Sequence, residues 1–414
     1  MKKQKKTFTY KPLSLKDILR EMKQKIDLMI DLAYTAIKFG SKEIADEAYM
    51  IEKRIHELNF LLNLQIIQTQ AGGLKAAKKL EPIVVMGYSI DKISDALSDI
   101  ARVVYLNSDI SEFTQLFWDK VPEPIVKVKV NEGCELLGME RKQIHFRSKH
   151  GVDLIAIRRN GNWLFEKNER INQGDFLIIK GEKELLMKIK FLCRDQLPIT
   201  FQFDDEIKEP RFDLDNPEIL EKLSELKKTY IKVTDISETM IELALTALFF
   251  NNFEVAEDVL EMEELMDGLN IACEKDLLDL AQVMESPRDL TGIMRIVFSC
   301  ELIADAAANI AENITKGFKP HRILQKAIEE TSEILVRVIL SKDSHFKDKT
   351  YSESQDSRYK RGFHIIALKR KNKWRYRFKP EFTFREGDLL IGLGPKETVE
   401  EWVRCVNPSK HEED

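Results

Sequence analysis

The sequence predicts an α+β fold in which two antiparallel helical bundles alternate with two small α/β domains. Two observations carry this prediction. Similar residues recur at a fixed offset along the 414-residue chain, which indicates a duplicated unit. Within each unit, apolar residues follow a helical spacing first and a strand-like alternation afterwards. A chain of this length is sufficient for two to four compact units, each with its own core.

The internal repeat covers a complete two-part unit. Leu243 lies 211 positions after Leu32, and many other residues keep this offset. Because one offset persists across about 130 positions, both parts of the unit were duplicated together. Matching pairs from the two parts are Phe39 and Phe250, Glu52 and Glu263, Gly151 and Gly362, Arg159 and Arg370, and Trp163 and Trp374.

Residues 14–120 and 218–330 are predicted to form the helical bundles. Apolar residues such as Ile26, Met29 and Ala33 recur there at helical spacing. Short breaks separate successive helices, which favours antiparallel packing. A third helix is predicted in each bundle, with a proline near its start, where the missing N–H costs little. The breaks lie at Gly40–Ser41 and Asn251–Asn252, and the third helices span Pro82 to Tyr105 and Pro287 to Lys316.

Residues 124–195 and 333–406 are predicted to form the small α/β domains, and residues 196–217 the linker between the units. Apolar and charged residues alternate from Val126 to Val130, as in a half-buried strand. The linker is rich in Asp, Glu and Pro and lacks periodicity. Further strands are predicted at Asp153–Ile157, Phe176–Ile179, Leu335–Leu340, His364–Leu368 and Leu389–Ile391, with a turn at Asn160–Gly161 and a closing helix from Glu182 to Cys193.

Composition excludes several classes of protein. The formal net charge is −5, from 65 basic and 70 acidic residues, whereas nucleic-acid binders usually carry a basic excess. No apolar run is long enough to span a bilayer. Five cysteines without a Cys-x-x-Cys pair argue against a disulfide framework and favour the cytoplasm. Neither a Gly-x-Gly-x-x-Gly nor a Walker motif is present, and no nucleophile has an evident base, so we do not expect an enzyme.

Acidic ladders on the predicted helices are candidate metal ligands. Glu263 and Asp267 share one helix face, and Glu301 and Asp305 share a face of the next long helix. Residues four apart lie about 6 Å from each other along a helix, so two packed ladders can bring four carboxylates to one cation. Hard cations, iron and manganese take such oxygen ligands. The alternative is a solvated charged face, because 33% of the residues are charged.

One helix resembles the PhoU family. The stretch from Cys300 to Glu312 resembles the PhoU pattern Ile-Glu-Arg-Ile-Gly/Ala-Asp-x-Ala-x-Asn-Ile, and the stretch from Ile90 to Ala101 is similar. Some PhoU proteins bind multinuclear iron or zinc clusters through Glu/Asp-x-x-x-Asp motifs. The resemblance implies a divalent or iron-cluster metal at Glu263, Asp267, Glu301 and Asp305, and a less complete site at Glu52, Asp91 and Asp95, where His56 replaces the second acid.

The first small domain resembles TrkA-C, the C-terminal half of the RCK module that regulates potassium conductance. The matching stretches are Glu132–Met139, Val152–Gly161 and Gln173–Gly181. In that family the domains pair, and the groove between them binds small ligands, c-di-AMP in some members. An anionic ligand needs Arg or Lys near its phosphates. The resemblance implies ligand binding at Arg158, Arg159, Asn162, Arg370 and Lys373; the alternative is solvated edge charges that discourage sheet aggregation.

Together the two resemblances imply a regulatory subunit of archaeal or bacterial potassium transport. The expected partners are a membrane cation channel or transporter and a small-molecule ligand, without nucleic acid. The tandem small domains can pair within one chain, and a homo-oligomer is the alternative. A second hypothesis is a PhoU-like metal-binding regulator of phosphate transport or signalling. A third, a metal-dependent hydrolase, lacks a second catalytic element in the sequence.

Overall fold

In the computed structural model, two three-helix units alternate with two four-stranded sheets, which confirms the predicted α+β class. The structure describes residues 13–69, 73–106, 125–144, 146, 150–160, 162–164, 168–181, 183–196, 216–317, 333–354, 364–371, 373–375, 378 and 381–408. Most of the predicted linker, residues 197–215, lies outside these ranges, as do residues 107–120 and 318–330 of the predicted bundles. Among the described residues, no helix is long and apolar enough to cross a membrane.

The first helical unit contains helices α1, α2 and α3. Ser14 caps α1 by accepting a hydrogen bond from the Asp17 N–H. Gly40 ends α1 with a φ of 58°, a left-handed conformation that glycine adopts without strain. This turn lets α2 return antiparallel to α1, as predicted. The helices span Leu15–Phe39, Lys42–Thr69 and Gly73–Arg102, and a 3-10 turn follows at Val103–Tyr105.

The prediction that the third helix begins at Pro82 is wrong. Helix α3 begins at Gly73, and Pro82 lies inside it. An interior proline removes one backbone hydrogen bond and costs about 3 kcal/mol. The helix nevertheless continues, because apolar side chains on both sides of the proline are buried against neighbouring helices. Those side chains are Leu80, Ile83 and Met86.

The second helical unit repeats this arrangement with helices α6, α7 and α8. Asn251 ends α6 with a φ of 50°, and Asn252 caps α7 by accepting a hydrogen bond from the Val255 N–H. Asparagine tolerates the left-handed conformation better than most side chains, so the asparagine pair replaces Gly40 and Ser41. The helices span Pro217–Phe250, Phe253–Val283 and Thr291–Thr315, with a 3-10 turn at Pro287–Leu290 before the last of them.

The two helical units share one apolar core. Helix α3 packs against α8, and α1 also reaches the second unit through Tyr34. The hydroxyl of Tyr34 on α1 lies 3.5 Å from the Ser237 hydroxyl on α6. Arg295 on α8 donates a hydrogen bond of 3.0 Å to Asp99 on α3. The units therefore pack as one six-helix body rather than as two separate bundles.

Each small domain is an antiparallel sheet with the same strand order, β1–β4–β2–β3 in the first and β5–β8–β6–β7 in the second. The first contains β1 (Ile125–Lys129), β2 (Val152–Arg159), β3 (Asn162–Leu164) and β4 (Phe176–Gly181), with α4 (Arg141–Ile144) and α5 (Lys183–Leu192). The second contains β5 (Glu333–Ile339), β6 (His364–Arg370), β7 (Lys373–Arg375) and β8 (Leu389–Pro395), with α9 (Tyr351–Ser354) and α10 (Lys396–Val406).

A bulge in the central strand attaches each sheet to the helices. The register shifts between Leu154 and Ala156 in β2, so one extra residue enters the strand. As a result, Ile155 and Ala156 both join the helical core, while Leu154 and Ile157 join the domain's own core. The bulge in β6 divides its apolar residues the same way: Ile366 and Ala367 join the helical core, and Ile365 and Leu368 join the second domain's core.

Candidate functional site

A site rich in carboxylates lies between α2 and α3. Helix α2 presents Glu52 and His56 one turn apart, and α3 presents Asp91 and Asp95 with the same spacing. Nε2 of His56 lies 2.9 Å from Oδ1 of Asp95 and 3.4 Å from Oδ1 of Asp91. One ligand atom from each of Glu52, His56 and Asp95 lies within 4.8 Å of the others. One cation can bridge ligands at this spacing. We call these four residues site 1.

The electrostatics of site 1 favour an attractive ion pair at its centre. Burial alone lowers the pKa of His56, but its hydrogen bond with Asp95 and the charges of Asp91 and Asp95 outweigh burial and raise that pKa. Burial raises the pKa of Asp91, and the positive charge of His56 opposes this rise. Among the described residues, Oε2 of Glu52 and Oδ1 of Asp91 are buried and accept no hydrogen bond. Such oxygens are costly unless a cation or donor satisfies them.

The equivalent site between α7 and α8 contains four carboxylates and no histidine. Burial, a hydrogen bond with Asp267 and the nearby charges raise the pKa of Glu301 to about 7. Burial and repulsion from Asp267 also raise the pKa values of Glu263 and Asp305. Within the described ranges, Oε2 of Glu301 is buried without a hydrogen-bond partner. We call Glu263, Asp267, Glu301 and Asp305 site 2.

The structure brings together both sets of predicted metal ligands, but site 1 converges more tightly. Within the described part of the chain, only site 1 has three ligand atoms within 4.8 Å of one another. The sequence reasoning expected the reverse, because His56 departs from the PhoU pattern. Since a protonated imidazole attracts carboxylates and carboxylates repel each other, the histidine draws site 1 together. Site 1 offers carboxylate oxygens and one imidazole, and site 2 offers carboxylate oxygens; both sets of ligands suit a divalent metal ion.

Two of the predicted ligand-binding residues make structural salt bridges. Arg159 binds the buried carboxylate of Asp175 through Nε at 2.8 Å and Nη2 at 2.9 Å. Arg370 binds buried Asp388 in the same way, with both distances 2.6 Å. Each aspartate also accepts a backbone N–H from the turn before the following strand. The sequence reasoning missed this pairing, although the repeated Gly-Asp turns at Gly174 and Gly387 were a signal for it.

The other predicted ligand-binding residues do not converge with these arginines. Arg158 neighbours Arg159 in strand β2, so their side chains leave opposite faces of the sheet. The carboxylate of Glu43, at the start of α2, accepts hydrogen bonds from the Glu43 backbone and from Ser41, which lower its pKa. The charge of Arg158 lowers this pKa further. Asn162 and Lys373 are exposed on the short strands β3 and β7. Binding of c-di-AMP at these residues stays a prediction.

Ion pairs between the sheets and the helices also escaped the sequence reasoning. In the second copy, Arg337 on β5 binds Glu254 at 2.8 Å and buried Asp258 at 3.1 Å, both on α7. In the first copy, Lys180 on β4 lies 3.4 Å from Asp31 on α1, whose pKa burial raises to about 6. No local pattern reveals such pairs, because their members lie far apart in the sequence. They couple each sheet to its helical unit.

The helical units correspond to a known protein family. The PhoU domain model matches residues 19–104 and 231–314, which fall on α1–α3 and α6–α8. Both helical units therefore match the PhoU domain model. The tandem arrangement predicted from the internal repeat is thus confirmed. Site 1 lies within the first matched segment and site 2 within the second.

A curated relative shares part of this region. It is the "Phosphate-specific transport system accessory protein PhoU homolog" of Aquifex aeolicus (strain VF5), 30% identical over 98 residues. The match covers 23% of this chain and 44% of the relative. The chain therefore spans less than half the length of this relative.

Solved structures with some likeness include the "GsuK channel bound to NAD" and the "Crystal Structure of the GsuK RCK domain". Both are 14% identical and cover 69% of this chain, with 53% and 64% of their own lengths covered. The TM-score is 0.17 in each case, which is too low to carry an argument about fold or function. The TrkA-C assignment of residues 124–195 and 333–406 therefore stays a prediction based on sequence motifs.

Proposed function

We propose that this chain is a regulatory accessory protein of a membrane transport system, and that each PhoU domain binds a divalent cation. The observation that carries the cation is a buried carboxylate oxygen that has no hydrogen-bond donor among the described residues at each site, Oε2 of Glu52 in site 1 and Oε2 of Glu301 in site 2. The two PhoU domains and the transport accessory relative support the regulatory role. We propose a regulatory rather than a catalytic role, which the accessory function named for the Aquifex relative supports.

The chemistry of each site is charge neutralisation rather than catalysis. When bound, the cation supplies positive charge that relieves carboxylate repulsion. Glu52, His56, Asp91 and Asp95 would hold it in the first domain, and site 2 in the second. His56 must be neutral to act as a ligand, so it loses a proton on binding. Because each site joins two helices, cation binding stabilises their packing. The stability of the six-helix body would therefore depend on the concentration of the cation.

We propose potassium or another cation as the transported species, with a channel or transporter as the membrane partner. The TrkA-C motifs of the small domains favour this choice. These domains would sense a small ligand, and c-di-AMP is the specific candidate. The ion pairs of Arg337 and Lys180 with the helices would transmit the effect of ligand binding from the sheets to the helical units. Phosphate is the second candidate, and the name of the Aquifex relative favours it. The chain would act in the cytoplasm, at the membrane through its transporter.

Metal analysis of the purified chain tests the cation. We expect about two equivalents of bound Mn²⁺, Fe²⁺ or Zn²⁺ per chain by mass spectrometry and titration calorimetry. Glu52→Gln with Asp95→Asn should remove one equivalent, and Glu263→Gln with Glu301→Gln the other. Glu257→Gln, an exposed change on α7 away from site 2, is the matched control. Equal metal content in the wild type, the control and both double variants would contradict the proposal.

Uptake measurements test the transported ion. In cells lacking the chain, radioactive rubidium uptake reports potassium transport, and radioactive phosphate uptake reports phosphate transport. A change in rubidium uptake alone, restored by the wild-type chain, supports the potassium proposal. A change in phosphate uptake alone replaces it with the second candidate.

A further inference from the structure

Each carboxylate site continues into an exposed apolar strip. On α2, Phe60 lies one turn beyond His56 and is 52% exposed; on α3, Tyr88 lies one turn before Asp91 and is 56% exposed. Because α2 and α3 run antiparallel, both aromatic residues lie on the same side of site 1. Ile67 and Val84, both exposed, continue the strip in the same direction. The exposed face of these two helices is thus acidic at one end and apolar at the other.

The second PhoU domain repeats the strip with different residues. Ile271 and Leu278 stand on α7, 211 positions after Phe60 and Ile67, and Met294 and Phe298 stand on α8, 210 positions after Val84 and Tyr88. All four are exposed, and Leu302 extends the strip on α8. The duplication has changed the identity of every one of these side chains and has kept their apolar character and exposure.

This pattern is unlike an ordinary solvent-facing helix surface. Outward positions on helices of globular proteins are usually polar, and contiguous exposed apolar groups mark interaction surfaces. An amphipathic helix docks on such a surface through apolar anchors at helical spacing. The distance along α2 from His56 to Ile67 is about 16 Å, or three helical turns. The apolar end therefore has the length of a short docked helix.

The charge of the neighbouring sites decides what covers this face. A second copy of the chain, docking through the same face, would cover the apolar strip but would bring no positive charge to the carboxylates. An anionic membrane surface would be repelled by sites 1 and 2. A segment with apolar anchors and a Lys or Arg at one end complements both the apolar and the acidic end of the face.

We propose that each PhoU domain docks an amphipathic helical segment of a partner protein, with its apolar side chains on the strip and its basic end at the carboxylates. The anchors are Phe60 and Tyr88 in the first domain and Ile271 and Phe298 in the second. The partner in question is the transporter of the proposed function. The basic end and a divalent cation would compete for the same carboxylates, so the docking is strongest when sites 1 and 2 hold no metal.

Binding of a synthetic peptide to the full chain tests the docking. The probe is a fluorescent helical peptide of about 18 residues with Leu at i, i+4 and i+7 positions and Arg in its final turn. In buffer with EDTA, which keeps the carboxylates free of metal, we expect micromolar binding by fluorescence anisotropy. Phe60→Ser with Ile271→Ser should weaken it at least about tenfold, since about 1.4 kcal/mol corresponds to tenfold. Phe191→Ser removes an apolar side chain that is 68% exposed on α5 and should leave binding unchanged.

Four results would overturn the docking proposal. The first is equal peptide affinity in the wild type and the Phe60→Ser, Ile271→Ser variant, with both folded by circular dichroism. The second is equal affinity for a peptide with Glu in place of Arg. The third is a dimer in sedimentation that this variant dissociates, which would make a second copy the occupant. The fourth is binding to phosphatidylserine vesicles that the variant abolishes, which would make the membrane the occupant.

Metal content separates this proposal from the proposed function. The Phe60→Ser, Ile271→Ser variant should keep wild-type metal content, because neither side chain is a cation ligand. If the wild type binds the peptide as expected but holds no metal, the docking surface stands and the cation proposal falls.

Discussion

Sites 1 and 2 occupy equivalent places in two copies of one domain, yet their side chains behave differently. In site 1, His56 makes short contacts with two carboxylates, and three ligand atoms lie close together. In site 2, Asp267 takes its place, and burial together with repulsion between carboxylates raises the pKa values of Glu263, Glu301 and Asp305. Two substitutions, His56 to Asp267 and Asp91 to Glu301, thus distinguish a site with an ion pair at its centre from a site whose carboxylates repel one another.

The small domains differ from sites 1 and 2, because both copies keep the same central salt bridge between an arginine and a buried aspartate. Arg159→Ala and Arg370→Ala should each lower the free energy of unfolding by about 3 kcal/mol, since each leaves a buried aspartate unpaired. Urea unfolding followed by circular dichroism measures this, with Lys188→Ala on the exposed face of α5 as the control. If Arg159→Ala left stability unchanged and abolished c-di-AMP binding, the arginine would instead be a ligand-binding residue.

Cation affinity should depend on pH at site 2. Glu301, with a pKa of about 7, must lose its proton before it binds a cation. We therefore expect the affinity to rise up to about tenfold per pH unit below pH 7 and to level off above it. Titration calorimetry with Mn²⁺ in the Glu52→Gln, Asp95→Asn background isolates this site. Glu301→Gln in the same background should flatten the remaining pH dependence, and an affinity that falls with rising pH would contradict this account.

Exchanging His56 and Asp267 between the sites should have the smallest effect. In the absence of divalent cations, His56→Asp should lower the free energy of unfolding by about 0.5–1 kcal/mol, because partly exposed ion pairs contribute little. Since the pKa of His56 is raised in the folded state, its stabilisation is fully present below its unfolded pKa of about 6.5 and is lost as pH rises through the folded value.

The reciprocal change, Asp267→His, should stabilise site 2 in the same pH range. Thermal unfolding in EDTA at pH 6 and pH 9 compares both variants with the wild type. Equal effects of His56→Asp at the two pH values would show that the imidazole charge does not hold site 1 together.

Much of the local structure could be predicted because its causes are local. The helix breaks at Gly40 and Asn251 need a left-handed residue, and such residues stand there. The ladders of Glu52 with His56 and of Glu301 with Asp305 share faces because of helical spacing alone. The relative placement of two ladders depends on how their helices pack, and sequence spacing does not specify it. For this reason the tighter convergence of site 1 was not predicted.

The sequence by itself determined the duplicated plan, the order of helices and strands, and the acidic ladders, since these follow from periodicity, turn chemistry and internal repetition. Tertiary structure decided the rest. It merged the two helical units into one core, carried α3 through Pro82 and enclosed Asp175 beneath Arg159. It also left Tyr88 and Phe298 exposed. Each of these outcomes depends on which surfaces meet, because burial free energy arises between residues that are distant in the chain.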